Sequence, residues 1–96
     1  MTFSHEQAAE LAMSALLHVL QIPDLASGFM GTTGLRPEDL RQLSGQPELA
    51  IHVLDYLLED DARVIDAAEA LQVRAADFLT ARTALAGPGS FGWEAD

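Results

Sequence analysis

Three residue types are absent from this chain of 96 residues: cysteine, lysine and asparagine. The absence of cysteine excludes disulfides, thiolate metal sites and a cysteine nucleophile. The absence of lysine excludes Schiff-base chemistry and the lysine of a phosphate-binding loop. Glycine and proline do not exceed their usual shares, and almost half of the residues are hydrophobic, which is typical of a globular domain rather than a disordered chain.

Positive charge is scarce as well. Fifteen acidic residues face five arginines, which gives a formal net charge of −10. Such a charge repels nucleic acids and anionic membranes and favours basic partners, although solubility alone would also account for it. The densest acidic run, Glu59, Asp60 and Asp61, is our candidate surface for a basic partner.

No segment has the pattern of a targeting signal or a membrane span. The apolar run from Leu11 to Leu20 follows two glutamates instead of a basic region, and it is interrupted by His18. It is also shorter than the roughly 20 apolar residues that a bilayer requires. We therefore expect a cytoplasmic protein without a membrane partner.

Capping residues and prolines divide the chain into five to six short helices. Two of these helices, starting near Ser4 and Pro47, have only a narrow polar stripe, which places them at the centre of a bundle. No strand-like alternation occurs. We predict an all-α, compact single-domain bundle over residues 1–88, followed by a flexible C-terminal tail over 89–96. The predicted helix starts are Ser4, Asp24, Pro37, Pro47, Asp60 or Asp61, and Arg74, with chain breaks at Pro23, Gly31 to Gly34, Gly45, Leu71 and Gly87.

The polar and apolar positions of the first half recur 38 residues later. Glu10 aligns with Glu48, and Leu16 aligns with Leu54. A chance similarity between two amphipathic segments would give this pattern, and so would a duplication. A duplication predicts that residues 8–43 superpose on 46–81 as two three-helix units.

Three stretches carry a family resemblance: FMGTTGLRPEDLR from Phe29, VLDYLL from Val53, and ALAGPG with a trailing Trp93. Together they resemble a group of short alphaproteobacterial proteins known as a domain of unknown function. The resemblance extends over roughly residues 5 to 93. The chain departs from it at residues 72–74, where the family pattern has a glycine-containing turn. The resemblance implies no activity, cofactor or catalytic residue.

One group of side chains has the spacing of metal ligands: Glu48, His52, Asp55 and Glu59 lie one turn apart on the fourth helix. Helix-borne metal sites require matching ligands from a facing helix, pointing inward. Here the four residues are the polar stripe of an otherwise apolar helix, so we expect them to face water. We predict no metal and no cofactor.

Catalytic patterns are similarly weak. Ser14 and His18 lie one turn apart with Glu10 behind them, but three residues along one helix do not form a pocket. The sequence has no Gly-x-Ser-x-Gly turn and no phosphate-binding motif. We therefore expect a protein that is not an enzyme.

Residues 64–81 have the pattern of a helix-turn-helix. Ala68 would lie at the close helix contact, and Phe78 would anchor the second helix in the core. In a DNA-binding version, Arg74 and Arg82 would contact nucleic acid. The negative charge and the missing turn glycine oppose that version.

The remaining hypothesis is that the chain acts by binding another protein. The two wide apolar helices offer more hydrophobic surface than a domain of this size needs internally, so a surplus would bind a partner or a second copy. We predict a non-catalytic acidic adaptor or regulatory module with an unknown protein partner. The alternatives are a divergent helix-turn-helix DNA-binding regulator and, third, a small-molecule-binding or enzymatic helical domain.

Overall fold

The computed structural model describes residues 4–86, and all regular structure in that range is helical. The predicted tail and the expected helix stop at Gly87 and Pro88 lie outside the described residues. The all-α prediction is confirmed. The six helices are α1 His5–Gln21, α2 Pro23–Thr33, α3 Pro37–Leu43, α4 Pro47–Leu58, α5 Asp61–Leu71 and α6 Ala75–Ala86.

Two predicted caps are present. At the start of α1 the Gln7 backbone N–H donates to the Ser4 hydroxyl at 3.0 Å, and the Ser4 N–H donates to the Gln7 amide oxygen at 2.9 Å. At the start of α5 the Asp60 carboxylate accepts from the Ala62 N–H at 2.8 Å. These bonds satisfy amides that a helix leaves unpaired at its first turn.

The core forms where α1, α4 and α6 pack on one another. The two helices expected at the centre, α1 and α4, each bury six residues, which confirms that placement. α6 adds Phe78, Ala81 and Leu85, while α2, α3 and α5 cover the outside. None of the described helices is long and apolar enough to cross a membrane.

The second helix differs from the prediction at both ends. It starts with Pro23 in its first turn instead of an Asp24 cap, and it continues through the expected break at Gly31 to Thr33. Proline fits a first turn because the N–H it lacks would be unpaired there. Thr33 is the last helical residue, and Gly34 is the C-cap. The φ of Gly34 is 75°, the left-handed conformation that favours glycine.

The predicted superposition of residues 8–43 on 46–81 is wrong. In the second half, the third helix α6 packs against both α4 and α5. In the first half, the equivalent helix α3 packs against α4 alone among the described helices. The sequence echo therefore reflects two central amphipathic helices with similar burial, not two copies of one three-helix unit.

The second half does contain a helix, a three-residue turn and a helix, as predicted. Phe78 is buried as predicted, but the fully buried alanine of α5 is Ala67, and the predicted Ala68 is only partly buried. Leu71 and Val73 are partly buried on either side of the turn. The turn conformation that glycine favours is present without glycine: Gln72 has φ 59° and ψ 44°. A side chain in this conformation costs about 1–2 kcal/mol, so this turn carries local strain.

We expect Gln72→Gly to stabilise the protein by about 0.5 kcal/mol, since relief of the left-handed strain exceeds the entropy that glycine adds to the unfolded chain. Chemical denaturation measures the change. The control is Gln42→Gly, which lies within α3. It should lower the free energy of unfolding by up to about 1 kcal/mol. Destabilisation by both changes would contradict the strain at Gln72.

Candidate protein-interaction surface

The polar stripe of α4 is only partly a solvent face. Glu48, His52 and Glu59 are exposed as expected, but Asp55 is half-buried and paired with α6. Its Oδ1 accepts from Arg82 Nε at 2.7 Å, and its Oδ2 accepts from Arg82 Nη2 at 3.3 Å. This bidentate ion pair joins α4 and α6.

Arg82 itself is the largest difference between prediction and structure. Sequence reasoning placed it on the surface as a nucleic-acid contact, whereas its side chain is only 10% exposed. The signal was in the spacing, because Arg82 shares the helical face of Phe78 and Leu85. A face flanked by buried apolar residues on both turns points inward, so the structure does not support Arg82 as a surface contact.

A shallow hollow lies beside this ion pair. It is lined by Asp55, Leu58, Glu59 and Leu79, and we call it the α4–α6 hollow. Its volume is about 510 Å³. Leu58 follows Asp55 by three residues and Leu79 precedes Arg82 by three, so α4 and α6 run antiparallel here. The Asp55–Arg82 pair thus fixes the register that places the two leucines together.

A second hollow adjoins the first on the side of α2. It is lined by Thr32, Thr33, His52 and Tyr56 together with the same Asp55 and Glu59. The two carboxylates therefore line both hollows. The hydroxyl of Thr33 is occupied within its own helix end, donating to the Phe29 carbonyl at 2.7 Å.

Tyr56 holds the elements around the two hollows in place, and sequence reasoning did not single it out. Its hydroxyl donates to the Leu25 carbonyl at 3.1 Å, and its ring meets Phe29 edge-on at 5.4 Å between centroids. The Arg63 guanidinium lies over the same ring, 3.9 Å from its centroid. Gly28 is required next to it, because a Cβ there would overlap the Tyr56 hydroxyl.

The three acids of the predicted partner surface have different environments. Asp60 caps α5, and Asp61 lies in the first turn of α5, where the helix dipole favours negative charge. Glu59 is the C-cap of α4, where the dipole disfavours negative charge. Its carboxylate has Arg63 Nη1 at 3.5 Å, a loose contact because that nitrogen also donates to the Tyr56 carbonyl at 2.8 Å.

The helix-turn-helix presents little positive charge. Arg74 is exposed, but its guanidinium pairs with Asp77 at 3.4 Å. With Arg82 buried, the outer face of α6 presents Ala75, Ala76 and Leu79. These side chains make no charged contact with a phosphate backbone.

At the C-terminal end of α1, the residues that face solvent are not the polar ones that the sequence predicts. Leu17 is 61% exposed, while the adjacent His18 is partly buried, and its Nε2 has no hydrogen-bond partner within residues 4–86. Ser14 and Glu10 are exposed, so they do not share a pocket with His18. Leu20 and Ile22 are also exposed near Leu17 at the end of α1.

Possible metal ligands do not converge in the described part of the chain. No group of three or more His, Asp or Glu side chains is arranged to hold a metal ion there. The α4 stripe instead divides into exposed residues and the ion-paired Asp55.

The chain matches the model of a protein family. A family model described as "Protein of unknown function (DUF3572)" matches residues 5–88. No curated protein and no solved structure matches the chain significantly. The matched range includes every residue of the α4–α6 hollow.

Proposed function

We propose that this chain, which belongs to the DUF3572 family of proteins of unknown function, is a non-catalytic module that binds a protein partner through the α4–α6 hollow. The observation that supports this most is Leu79. It is 50% exposed on a helix whose opposite face forms the core, and it lines a concavity with Leu58. Apolar side chains in a polar-rimmed concavity are typical of interaction sites.

The chemistry of the hollow favours binding over catalysis. Its side chains are two leucines and two carboxylates, and Arg82 engages one of those carboxylates. Nucleophilic catalysis requires a nucleophile activated by an adjacent base, and this lining provides none. Leucines rimmed by acids instead provide the two components of a docking surface, apolar contact and charge selection.

The charge distribution favours a protein over DNA as the partner. DNA binding depends on several Lys or Arg contacts to phosphates. On the helix-turn-helix, Arg82 is buried against Asp55 and Arg74 lies beside Asp77. The acids Asp66 and Glu69 are exposed on α5, which would repel a phosphate backbone.

Leu79→Gln is the test variant. We expect it to fold normally, because Leu79 is half exposed, and to lose most of the partner in a pull-down from native lysate at low salt. The lost contact is an apolar anchor, and truncating such an anchor typically costs more than about 1 kcal/mol of binding, or roughly fivefold or more in affinity. Quantitative mass spectrometry of the captured proteins measures the loss.

Ile65→Gln is the matched control. Ile65 is 55% exposed, lies on α5 and does not line the α4–α6 hollow. This variant should retain the partner. Equal retention by both variants would refute the hollow as the binding site, and stoichiometric recovery of DNA instead of protein would refute the proposed function.

A further inference from the structure

We propose that the partner presents a basic amphipathic helix to the α4–α6 hollow, with an apolar side chain between Leu58 and Leu79 and an Arg or Lys at Glu59. This inference rests on the proposed function and adds the chemistry of the partner segment. It follows from three features of the hollow: its shape, the position of its apolar groups, and the charge that lacks a structural role.

The hollow is a shallow depression between two helices. α4 and α6 run antiparallel at the hollow, with the Asp55–Arg82 pair at one end and Leu58 and Leu79 one turn along. One turn of helix rises about 5.4 Å. A partner helix lying along the hollow repeats its side chains with the same spacing, so an apolar side chain between the leucines can be followed by one that reaches Glu59, the residue after Leu58.

Glu59, next to Leu58 at the C-terminal end of α4, selects positive charge. Asp55 is compensated by Arg82, Asp60 caps α5, and Asp61 lies at the favourable N-terminal end of α5. Glu59 stands against its helix dipole, with no hydrogen bond to its carboxylate in the described range and only the loose contact to Arg63. A cation from a partner would relieve this unfavourable charge and add an ion pair next to the apolar contact.

A helix suits this site better than an extended segment. The described residues contain no strand, so they provide no sheet edge to which an extended peptide could add. A helix satisfies its own backbone groups and can therefore place apolar side chains against leucines without leaving amides unpaired. The net charge of −10 adds long-range attraction for a basic segment.

The probes are synthetic amphipathic peptides of about 15 residues, the length at which an isolated helix becomes stable enough to use. The first carries leucines on one face and arginines on the other. The second replaces the arginines with glutamates, and the third keeps the arginines and replaces the leucines with serines. Titration of the isotope-labelled protein, followed by NMR, locates each peptide and gives its Kd.

We expect the leucine–arginine peptide to bind with its largest shifts at Leu58, Glu59 and Leu79, and the other two peptides to bind at least about tenfold more weakly. Glu59→Gln should weaken the first peptide by about threefold to tenfold, in the range of one partly screened ion pair. It should leave the denaturation midpoint unchanged, because the loss of the Arg63 contact and the relief of the dipole oppose each other.

The control for charge is Glu10→Gln, an identical change at an exposed position on α1. It removes the same net charge, so it should weaken the peptide less than twofold. Equal losses from Glu10→Gln and Glu59→Gln, or shifts spread over all acidic positions, would overturn the proposal in favour of nonspecific attraction. Equal binding of the glutamate peptide would overturn it as well.

The pull-down separates this inference from the proposed function. One outcome is that Leu79→Gln loses the partner, Glu59→Gln retains it and salt has no effect. That outcome would support the interaction surface and refute the basic helix. A partner retained by Leu79→Gln would refute the surface itself, whatever the peptides do. Loss of the partner with both variants and with added salt is the result that supports both proposals.

Discussion

Phe78→Ala is expected to destabilise the protein by about 3–5 kcal/mol, the usual cost of removing a fully buried phenyl ring. Phe78 is 0% exposed and anchors α6 in the core formed with α1 and α4. A domain of this size has a total stability of about 5–15 kcal/mol, so the loss is a large fraction of it. Thermal unfolding should show a decrease in Tm of more than about 12 °C.

The neighbouring residue provides the control. Leu79→Ala truncates the adjacent apolar side chain of the same helix, but at a position that is half exposed, so its cost should stay below about 1 kcal/mol. Similar costs at the two positions would contradict the inward orientation of Phe78. They would also contradict the outward orientation of Leu79, on which the interaction surface depends.

Asp55→Ala is expected to cost about 2–4 kcal/mol, more than removal of an exposed carboxylate, because it takes the acidic partner from a buried guanidinium. Breaking a buried ion pair from one side typically costs about 3–5 kcal/mol, and the partial exposure of Asp55 lowers that figure. Glu59→Ala, one turn along the same helix and exposed, should change the stability by less than about 0.5 kcal/mol.

The double variant Asp55→Ala with Arg82→Met tests the cause. An apolar side chain of similar length at position 82 removes the buried charge, and replacing both members of a buried pair is often close to neutral. We therefore expect the double variant to recover more than half of the stability lost in Asp55→Ala. A double variant as unstable as the sum of the single changes would show that the pair contributes no coupling.

The two predictions are connected through the hollow. Phe78 fixes which face of α6 is buried, and Asp55 with Arg82 fixes how far α6 has slid along α4. Both determine where Leu79 lies relative to Leu58. Variants that loosen the pair should therefore weaken partner binding even when the protein remains folded, since the leucines would no longer share one concavity.

Local structure followed closely from local sequence. The Ser4–Gln7 capping box, the prolines that open α3 and α4, and the Asp60 cap are interactions among neighbouring residues, so their positions were predictable. The extra turn of α2 was not, because Phe29 is buried in the core and its carbonyl is bonded by Thr33. Packing there outweighed the glycines that would otherwise end a helix.

The candidate site was harder to predict than the helices, because it depends on packing between segments that are distant in the sequence. The acids at 59–61 were visible as a run of charge, but their different roles depend on which helix end each one occupies. The Asp55–Arg82 pair joins residues 27 positions apart, and Tyr56 bonds to Leu25 across 31. No periodicity within one helix specifies such a pairing.

The sequence by itself therefore determined the helices, their caps, the two central elements and the negative charge, because each depends on neighbouring residues or on composition. The tertiary structure decided that α3 packs unlike α6, that Arg82 pairs with Asp55, that Leu17 and Leu79 face solvent and that Leu58 and Leu79 share a hollow. These outcomes depend on how whole helices rotate and slide to fill one core. That choice minimises the free energy of the entire set of contacts and is not encoded in any single segment.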